Sequence, residues 1–280
     1  MTENICTVFI FALGLIIGSF LNVLIYRLPR EISVLKKKRS FCPNCKKKLT
    51  AKELIPLFSF LCLKGKCSKC KKRISLRYLT VELVTGIFFI LTFIKLGIYD
   101  SGFAIHETIY FIYFCTIISV LIVIFFIDLE HYIIPDGLIV TGSILSILYL
   151  LIAQYVLPTL ERVNVGMATR NSLVNLLFSD RFIASNPLFI NHIIFAIMGV
   201  VFFGLIILIT RGKGMGMGDL KFSILMGLIL GGKIIGAVYV AFIFGAIVGV
   251  LMILLKKKKI KSTIPFGPFL VVGTLLGMFL

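Results

Sequence analysis

The sequence predicts an all-α polytopic membrane protein with about eight transmembrane helices. Of its 280 residues, 59% are hydrophobic, and the mean hydropathy is +1.07. The apolar residues form repeated runs of about twenty, the length that a helix needs to cross a bilayer core. None of these runs shows the alternation of an outer-membrane barrel strand, so we expect the spans to be helices.

The first apolar run, ICTVFIFALGLIIGSFLNVLIY, follows Glu3 rather than the basic start of a secretory signal, and Arg27 comes directly after it. We therefore expect residues 1–26 to be a retained first helix with its amino terminus outside. The other predicted spans lie near 79–98, 108–128, 137–157, 190–210, 220–231, 234–255 and 263–280. The run at 220–231 is short for a ~30 Å core, which predicts a broken or tilted element.

The basic residues are concentrated in the segment 27–78, which holds seventeen Lys and Arg against two acidic residues. The positive-inside rule places this segment in the cytoplasm. We therefore divide the chain into the first helix, a basic cytoplasmic domain at 27–78, and a helical membrane domain at 79–280. The same topology places the mixed segment 158–190 outside, where we expect a surface embellishment.

Four cysteines of the basic segment, Cys42, Cys45, Cys67 and Cys70, form two Cys-x2-Cys pairs separated by twenty-one residues. This spacing is typical of a structural zinc site with four thiolate ligands and no open position for water. Disulfides are the alternative, but they are uncommon in the cytoplasm. The sequence thus predicts a small cytoplasmic zinc-binding domain with one Zn²⁺. The remaining cysteines are interpreted as small buried apolar residues: Cys6, Cys62 and Cys115.

The lysine runs around the cysteines raise the alternative of nucleic-acid binding. They lie between membrane helices and lack interleaved aromatic residues for base stacking. We therefore expect solvated charge beside the lipid bilayer and no nucleic-acid partner.

Carboxylates near the inner ends of spans are candidates for function, because a charge in hydrocarbon costs at least ~2.5 kcal/mol. Asp128 ends the apolar run VLIVIFFI, and Asp219 lies in GKGMGMGDLK, before another apolar run. The topology brings both to the same membrane face. Two adjacent carboxylates cannot both ionise cheaply, so one retains a proton while the other acts as a base, as in aspartic proteases. The alternative for Asp219 is a helix N-cap.

The other polar residues near these spans have structural interpretations. Asp136 follows Pro135 and precedes an apolar run, which predicts an N-cap. Glu130 and His131 are expected at the surface, and Glu82 is expected to pair with a local arginine such as Arg77. For the glycines at 214, 216 and 218, we expect unusual backbone angles and the close approach of another segment.

Six motifs, in one order along almost the whole chain, resemble those of the bacterial type IV prepilin peptidases. The motifs are GSFLNVLIYRLPR at 18–30, the two Cys-x2-Cys pairs, RYLTVELVTG at 77–86, DLEHYIIPD at 128–136, GMGDLK at 216–221 and IPFGPFL at 264–270. The resemblance implies a bifunctional leader peptidase and N-methyltransferase of the bacterial inner membrane, with Asp128 and Asp219 as the catalytic pair. It also implies prepilin-like substrates cleaved on the cytoplasmic side, and S-adenosylmethionine as the methyl donor.

Two other function classes fit the residues without the resemblance. A helical transporter could use the carboxylates as a proton or cation relay, although they lie at span ends rather than at the midplane. A zinc-ribbon membrane scaffold without enzymatic activity would depend on the cysteines and not on the aspartates.

Overall fold

The computed structural model describes residues 2–33, 40–97, 105–156, 188–212, 214–255 and 264–280. Most of these residues are helical, and the extended pairs among them are the isolated bridges Phe41 with Lys48 and Lys66 with Arg73. The helices are α1 Thr2–Arg27, α2 Phe58–Cys62, α3 Leu76–Lys95, α4 Ile105–His131, α5 Asp136–Leu151, α6 Leu188–Ile209, α7 Met217–Leu230, α8 Ile234–Leu254 and α9 Gly267–Phe279. Residues 158–187 of the predicted outer segment lie outside the described part.

Six helical segments of the described chain are long and apolar enough to cross a membrane. They are Ile5–Arg30, Leu76–Lys95, Glu107–His131, Asp136–Tyr155, Phe189–Ile209 and Met217–Leu254. The last segment contains both α7 and α8, and α9 is a further, shorter apolar helix. The described residues thus form eight apolar helices, and the prediction of an all-α multi-pass membrane protein is confirmed.

The chain forms two compact units, residues 1–127 and residues 128–280. In the first unit, α1 and α3 pack closely because glycines, which have no side chain, lie in their interface. A Cβ atom added to Gly14 would lie 2.7 Å from the Cα of Gly86, and one added to Gly18 would lie 2.7 Å from the Cα of Glu82. Apolar side chains around this contact form a core with Ile10, Phe89, Phe93, Phe111 and Cys115.

In the second unit, α7 packs against α5, α6 and α9. Its fourteen residues rise only ~21 Å, less than the ~30 Å of a bilayer core. The helix ends at Gly231, where φ is 54°, and α8 begins at Ile234 after a single 3₁₀ turn. The run at 220–231, predicted to be a broken or tilted element, thus belongs to a short helix that ends in a 3₁₀ turn.

The glycine contact between α1 and α3 makes a testable prediction. Gly14→Ile should lower the melting temperature of the detergent-solubilised protein by several degrees, because a branched side chain cannot fit against Gly86. Ala12→Ile is the matched control, because Ala12 lies on an exposed part of the same helix. Equal melting temperatures for the two variants would contradict this packing.

Candidate active site and metal centre

Asp128 lies in the last turn of α4 and is only 5% exposed. Its carboxylate accepts a hydrogen bond from the backbone N–H of Gly267. Gly267 is the first residue of α9 after the N-cap Phe266, so this N–H is one that the helix itself leaves without a partner. A Cβ atom at Gly267 would collide with Oδ2 of Asp128. The glycine therefore lets the start of α9 reach the carboxylate.

Asp219 is the third residue of α7 and is 8% exposed. Its Oδ2 accepts a hydrogen bond of 3.3 Å from the backbone N–H of Gly216, the N-cap residue. The alternative of an N-cap role for Asp219 is therefore wrong, because Gly216 is the N-cap residue. The side chain of Asp219, in the first turn of the helix, accepts the hydrogen bond from the N–H of Gly216. Asp219 also interacts electrostatically with Asp128. The structure thus brings together the two aspartates that the sequence singled out.

The side chain of Ile134 contacts both the start of α7, which carries Asp219, and the start of α9, which contacts Asp128. It is 3.4 Å from a Cβ position at Gly218 and 3.2 Å from one at Gly267. The expected close approach of another segment is therefore present at Gly218. The expected unusual backbone angles are not found there, because the described glycines with positive φ are Gly65, Gly97, Gly212 and Gly231.

The residues between α4 and α5 differ in part from expectation. Pro135 is the N-cap of α5, and it makes no side-chain cap hydrogen bond. Asp136 is instead the first helical residue, and both its oxygens accept hydrogen bonds of 2.8 Å from Nζ of Lys221 on α7. The N-cap prediction for Asp136 is therefore wrong, because the helix already begins at Asp136 and its carboxylate binds Lys221. Glu130 is exposed as predicted, whereas His131 is only partly exposed.

In the first unit, the four sulfurs of Cys42, Cys45, Cys67 and Cys70 lie within 4.8 Å of one another. The Sγ atoms are 4.0 Å apart in both the Cys42–Cys70 pair and the Cys45–Cys67 pair. A tetrahedral ion with metal–sulfur bonds of ~2.3 Å requires sulfur separations of ~3.8 Å. These four side chains therefore fit a tetrahedral metal ion, as the spacing predicted.

The two cysteine pairs have the same backbone conformation. The N–H groups of Cys42 and Cys67 donate to the carbonyl groups of Lys47 and Lys72, each at 2.9 Å. In both turns a lysine after the second cysteine has a positive φ, 54° at Lys46 and 56° at Lys71. Each tight turn directs its two sulfurs to the same point.

Hydrogen bonds to sulfur favour the thiolate form that a metal requires. The Nδ2 group of Asn44 donates to Sγ of Cys70 at 3.5 Å. Together with the backbone N–H of Lys72, it lowers the pKa of Cys70 to about 6. These two donors thus stabilise negative charge on the sulfur of Cys70 before any ion binds.

Glu53 connects the two cysteine turns, a role that the sequence analysis missed. Its Oε1 accepts from Nζ of Lys47 at 2.7 Å and also from the hydroxyl of Ser68. Its Oε2 accepts from the N–H of Thr50 at 2.8 Å. The bonds from Lys47, Ser68 and Thr50 lower the pKa of Glu53 to about 2. The Thr50-x-x-Glu53 pattern of a capping box was the available signal.

The remaining cysteines follow the prediction only in part. Cys115 is buried and Cys6 is partly buried, whereas Cys62 is exposed. The prediction of burial is wrong for Cys62 because it ends the short helix α2 in the loop rather than lying in an apolar span.

Glu82 makes different contacts from those expected. Its Oε2 accepts a hydrogen bond of 2.9 Å from the backbone N–H of Leu57, and the side chain of Ser19 makes a second hydrogen bond. The guanidinium of Arg77 instead lies 4.9 Å from the ring centroid of Tyr78. The predicted pairing of Glu82 with Arg77 is therefore wrong.

The chain is similar to known proteins over most of its length. The family profile described as the Bacterial Peptidase A24 N-terminal domain matches residues 12–96. The prepilin leader peptidase/N-methyltransferase of Bacillus subtilis (strain 168) is 30% identical over 268 residues, covering 95% of this chain and 91% of the relative. The proteins of that name from Aeromonas salmonicida (strain A449) and Legionella pneumophila are each 31% identical. The first covers 94% of this chain and 87% of the relative, and the second covers 95% and 88%.

No solved structure matches the chain. These relatives nevertheless match 94–95% of this chain and 87–91% of their own lengths. The chain therefore belongs to the prepilin leader peptidase/N-methyltransferase family.

Proposed function

We propose that this protein is a membrane-embedded aspartic endopeptidase that removes the leader peptides of prepilin-like substrates and N-methylates the new amino terminus. The observation that carries the peptidase proposal is the electrostatic interaction between Asp128 and Asp219, two buried carboxylates from distant parts of the chain. Membership of the family supports this enzyme over a transporter or a scaffold.

The two carboxylates supply the chemistry of peptide hydrolysis. One aspartate, as the carboxylate, takes a proton from the attacking water, while the other, which retains a proton, donates it to the carbonyl oxygen of the scissile bond. The tetrahedral intermediate then breaks its carbon–nitrogen bond, and a proton passes to the departing amine. The backbone N–H groups of Gly216 and Gly267 hold the two side chains in place.

The distribution of charge supports an inner-membrane protein with its amino terminus outside. The basic segment 27–78 is then cytoplasmic, and the two aspartates, which end α4 and begin α7, face the same side. Cleavage on that side fits a substrate that keeps its short leader in the cytoplasm and its apolar helix in the membrane.

Zinc is the proposed ion of the four-cysteine cluster. Four thiolates in a tetrahedral arrangement are typical of structural zinc, and they leave no position for a reactive water. We propose that the ion stabilises the cytoplasmic loop rather than taking part in hydrolysis.

For the methylation, the proposed methyl donor is S-adenosylmethionine, whose methyl group is bound to a positively charged sulfonium sulfur.

The aspartate pair is tested by Asp128→Asn and Asp219→Asn. Each variant should lose at least about a hundredfold of the leader-cleavage rate, because an amide can neither accept nor donate the proton. The assay is co-expression with a tagged prepilin and intact-mass analysis of the product. Glu130→Gln is the control, since it removes an exposed carboxylate two residues from Asp128. Normal processing by Asp128→Asn would rule out the aspartic mechanism.

A second prediction concerns the contact between Gly267 and Asp128. Gly267→Ala should reduce cleavage at least about tenfold, because its methyl group would displace the carboxylate. The control is Gly204→Ala, whose added Cβ atom would lie 3.7 Å from its nearest neighbour. If Gly267→Ala cleaves as fast as the control, the start of α9 does not position Asp128.

The metal proposal predicts about one zinc ion per chain in the purified protein. The double variant Cys42→Ser, Cys67→Ser should lose that ion, as measured by elemental mass spectrometry. Cys62→Ser should retain it, because Cys62 is exposed and lies outside the cluster. Full zinc occupancy in the double variant would contradict the assignment.

A further inference from the structure

A second cluster of buried polar groups lies between α1 and α3 in the first unit, and the peptidase chemistry does not use it. Gly18 of α1 packs against the backbone of Glu82 on α3. One turn further along α1, Nδ2 of Asn22 donates to the carbonyl of Tyr78, one turn before Glu82. Asn22 and Glu82 therefore lie in the same interface, about one helical turn apart.

Asn22 is 2% exposed, and only the NH₂ group of its side-chain amide has hydrogen-bond partners. Nδ2 donates to the carbonyl oxygens of Gly18, at 3.3 Å, and of Tyr78, at 3.0 Å. Because both partners are acceptors, the NH₂ group must face them and the orientation of the amide is fixed. Its Oδ1 is buried without a hydrogen-bond donor among the described residues. A buried acceptor without a donor is energetically unfavourable, which requires a physical explanation.

Glu82 adds an acidic side chain to the same interface and is 8% exposed. The donors that the structure gives it are both neutral, the backbone N–H of Leu57 and the side chain of Ser19. A carboxylate offers about four acceptor positions, so acceptor capacity remains. Burial of a carboxylate is costly unless a cation and further donors compensate it. Both Asn22 and Glu82 therefore favour a positively charged hydrogen-bond donor.

The turn that delivers the Leu57 N–H is itself strained. Leu57 has φ 58° and ψ −52°, and the N–H of Phe58 reaches the carbonyl of Pro56 at 2.5 Å. These values describe a γ-turn with positive φ, which is rare for a residue with a side chain. Such conformations persist where the surroundings impose them, often at ligand sites. The Leu57 N–H thus reaches Glu82 from a backbone conformation that a residue with a side chain rarely adopts.

We infer that Oδ1 of Asn22 and the carboxylate of Glu82 form a binding site for a primary ammonium group. An ammonium carries one positive charge and three N–H donors, which match the acceptors and the charge of this interface. The inference rests on the proposed N-methyltransferase function, which provides two sources of this group. One is the new α-amino group of the cleaved substrate, and the other is the amino-acid ammonium of the methyl donor.

The test uses the zinc-loaded, full-length protein in detergent and compares Glu82→Gln, Asn22→Ala and wild type. Glu82→Gln keeps the shape and an acceptor for the Leu57 N–H, so it removes charge without removing that contact. The control is Thr85→Val, which removes a buried hydroxyl whose hydrogen bond is to its own helix at Val81. Each variant must keep its zinc content and melting temperature.

The first readout is methylation of a synthetic peptide that begins at the mature amino terminus, which makes the assay independent of cleavage. Glu82→Gln and Asn22→Ala should lower the rate at limiting peptide or donor at least about tenfold, measured from the ~14 Da product, whereas Thr85→Val should not. Both variants should still cleave a full prepilin, because they retain Asp128 and Asp219. Normal methylation by Glu82→Gln would overturn the inference, and so would equal loss in Thr85→Val.

The second readout is equilibrium binding, which distinguishes the two sources. The probes are S-adenosylhomocysteine and the mature peptide with a free or an acetylated amino terminus. Weaker binding of the free peptide alone assigns the site to the product amine, and weaker binding of S-adenosylhomocysteine alone assigns it to the methyl donor. Unchanged binding of both probes means that the cluster is structural, and the inference fails.

The same experiments distinguish a failure of this inference from a failure of the proposed function. A wild-type protein that cleaves no prepilin would contradict the peptidase proposal, while binding of the probes would still decide the role of Asn22 and Glu82. A wild-type protein that cleaves but does not methylate would contradict the transferase proposal. In that case, loss of probe binding in Glu82→Gln would support the ammonium site, and unchanged binding would overturn it.

Discussion

Hydrocarbon offers no hydrogen-bond partners, so every carboxylate carried by a membrane-spanning helix depends on donors from the protein itself. For Asp128 and Asp219 in the second unit, these donors are the free N–H groups at helix starts. Gly267 donates to Asp128 from the beginning of α9, and Gly216 donates to Asp219 from the N-cap of α7. The starts of α7 and α9 therefore supply the backbone donors for the two carboxylates. The apolar sequence is interrupted before each of these helices, and this interruption leaves those N–H groups available.

Backbone donors reach a carboxylate only where side chains leave room for them. At Gly267, any Cβ atom would occupy the position of the Asp128 carboxylate. At Gly18, the missing side chain lets α1 approach the backbone of Glu82 on α3. Glycine in these helices costs some helix propensity, and close packing around a polar group offsets that cost. The same reasoning explains why the two interfaces that contain buried acids also contain glycine.

The cysteine loop is joined to the α1–α3 pair through one short segment. Glu53 holds the two cysteine turns together through Lys47 and Ser68. Four residues later, the Leu57 N–H reaches Glu82 on α3. A metal ion in the four-thiolate cluster would therefore fix not only the loop but also the strained turn that contacts the buried carboxylate. This continuity gives a structural zinc site a direct connection to the proposed ammonium site within the same unit.

The sequence by itself determined the features that depend on local spacing and composition. Apolar run length predicted the helices, the charge of residues 27–78 predicted the basic loop, and the paired Cys-x2-Cys turns predicted the metal cluster. Asp128 and Asp219 were identifiable because acids beside apolar runs are rare. Only the tertiary structure decided which groups bind the acidic side chains. Gly267 binds Asp128, Lys221 binds Asp136 and Leu57 binds Glu82. Those contacts join residues far apart in the chain, and their geometry follows from helix packing, which local sequence periodicity does not specify.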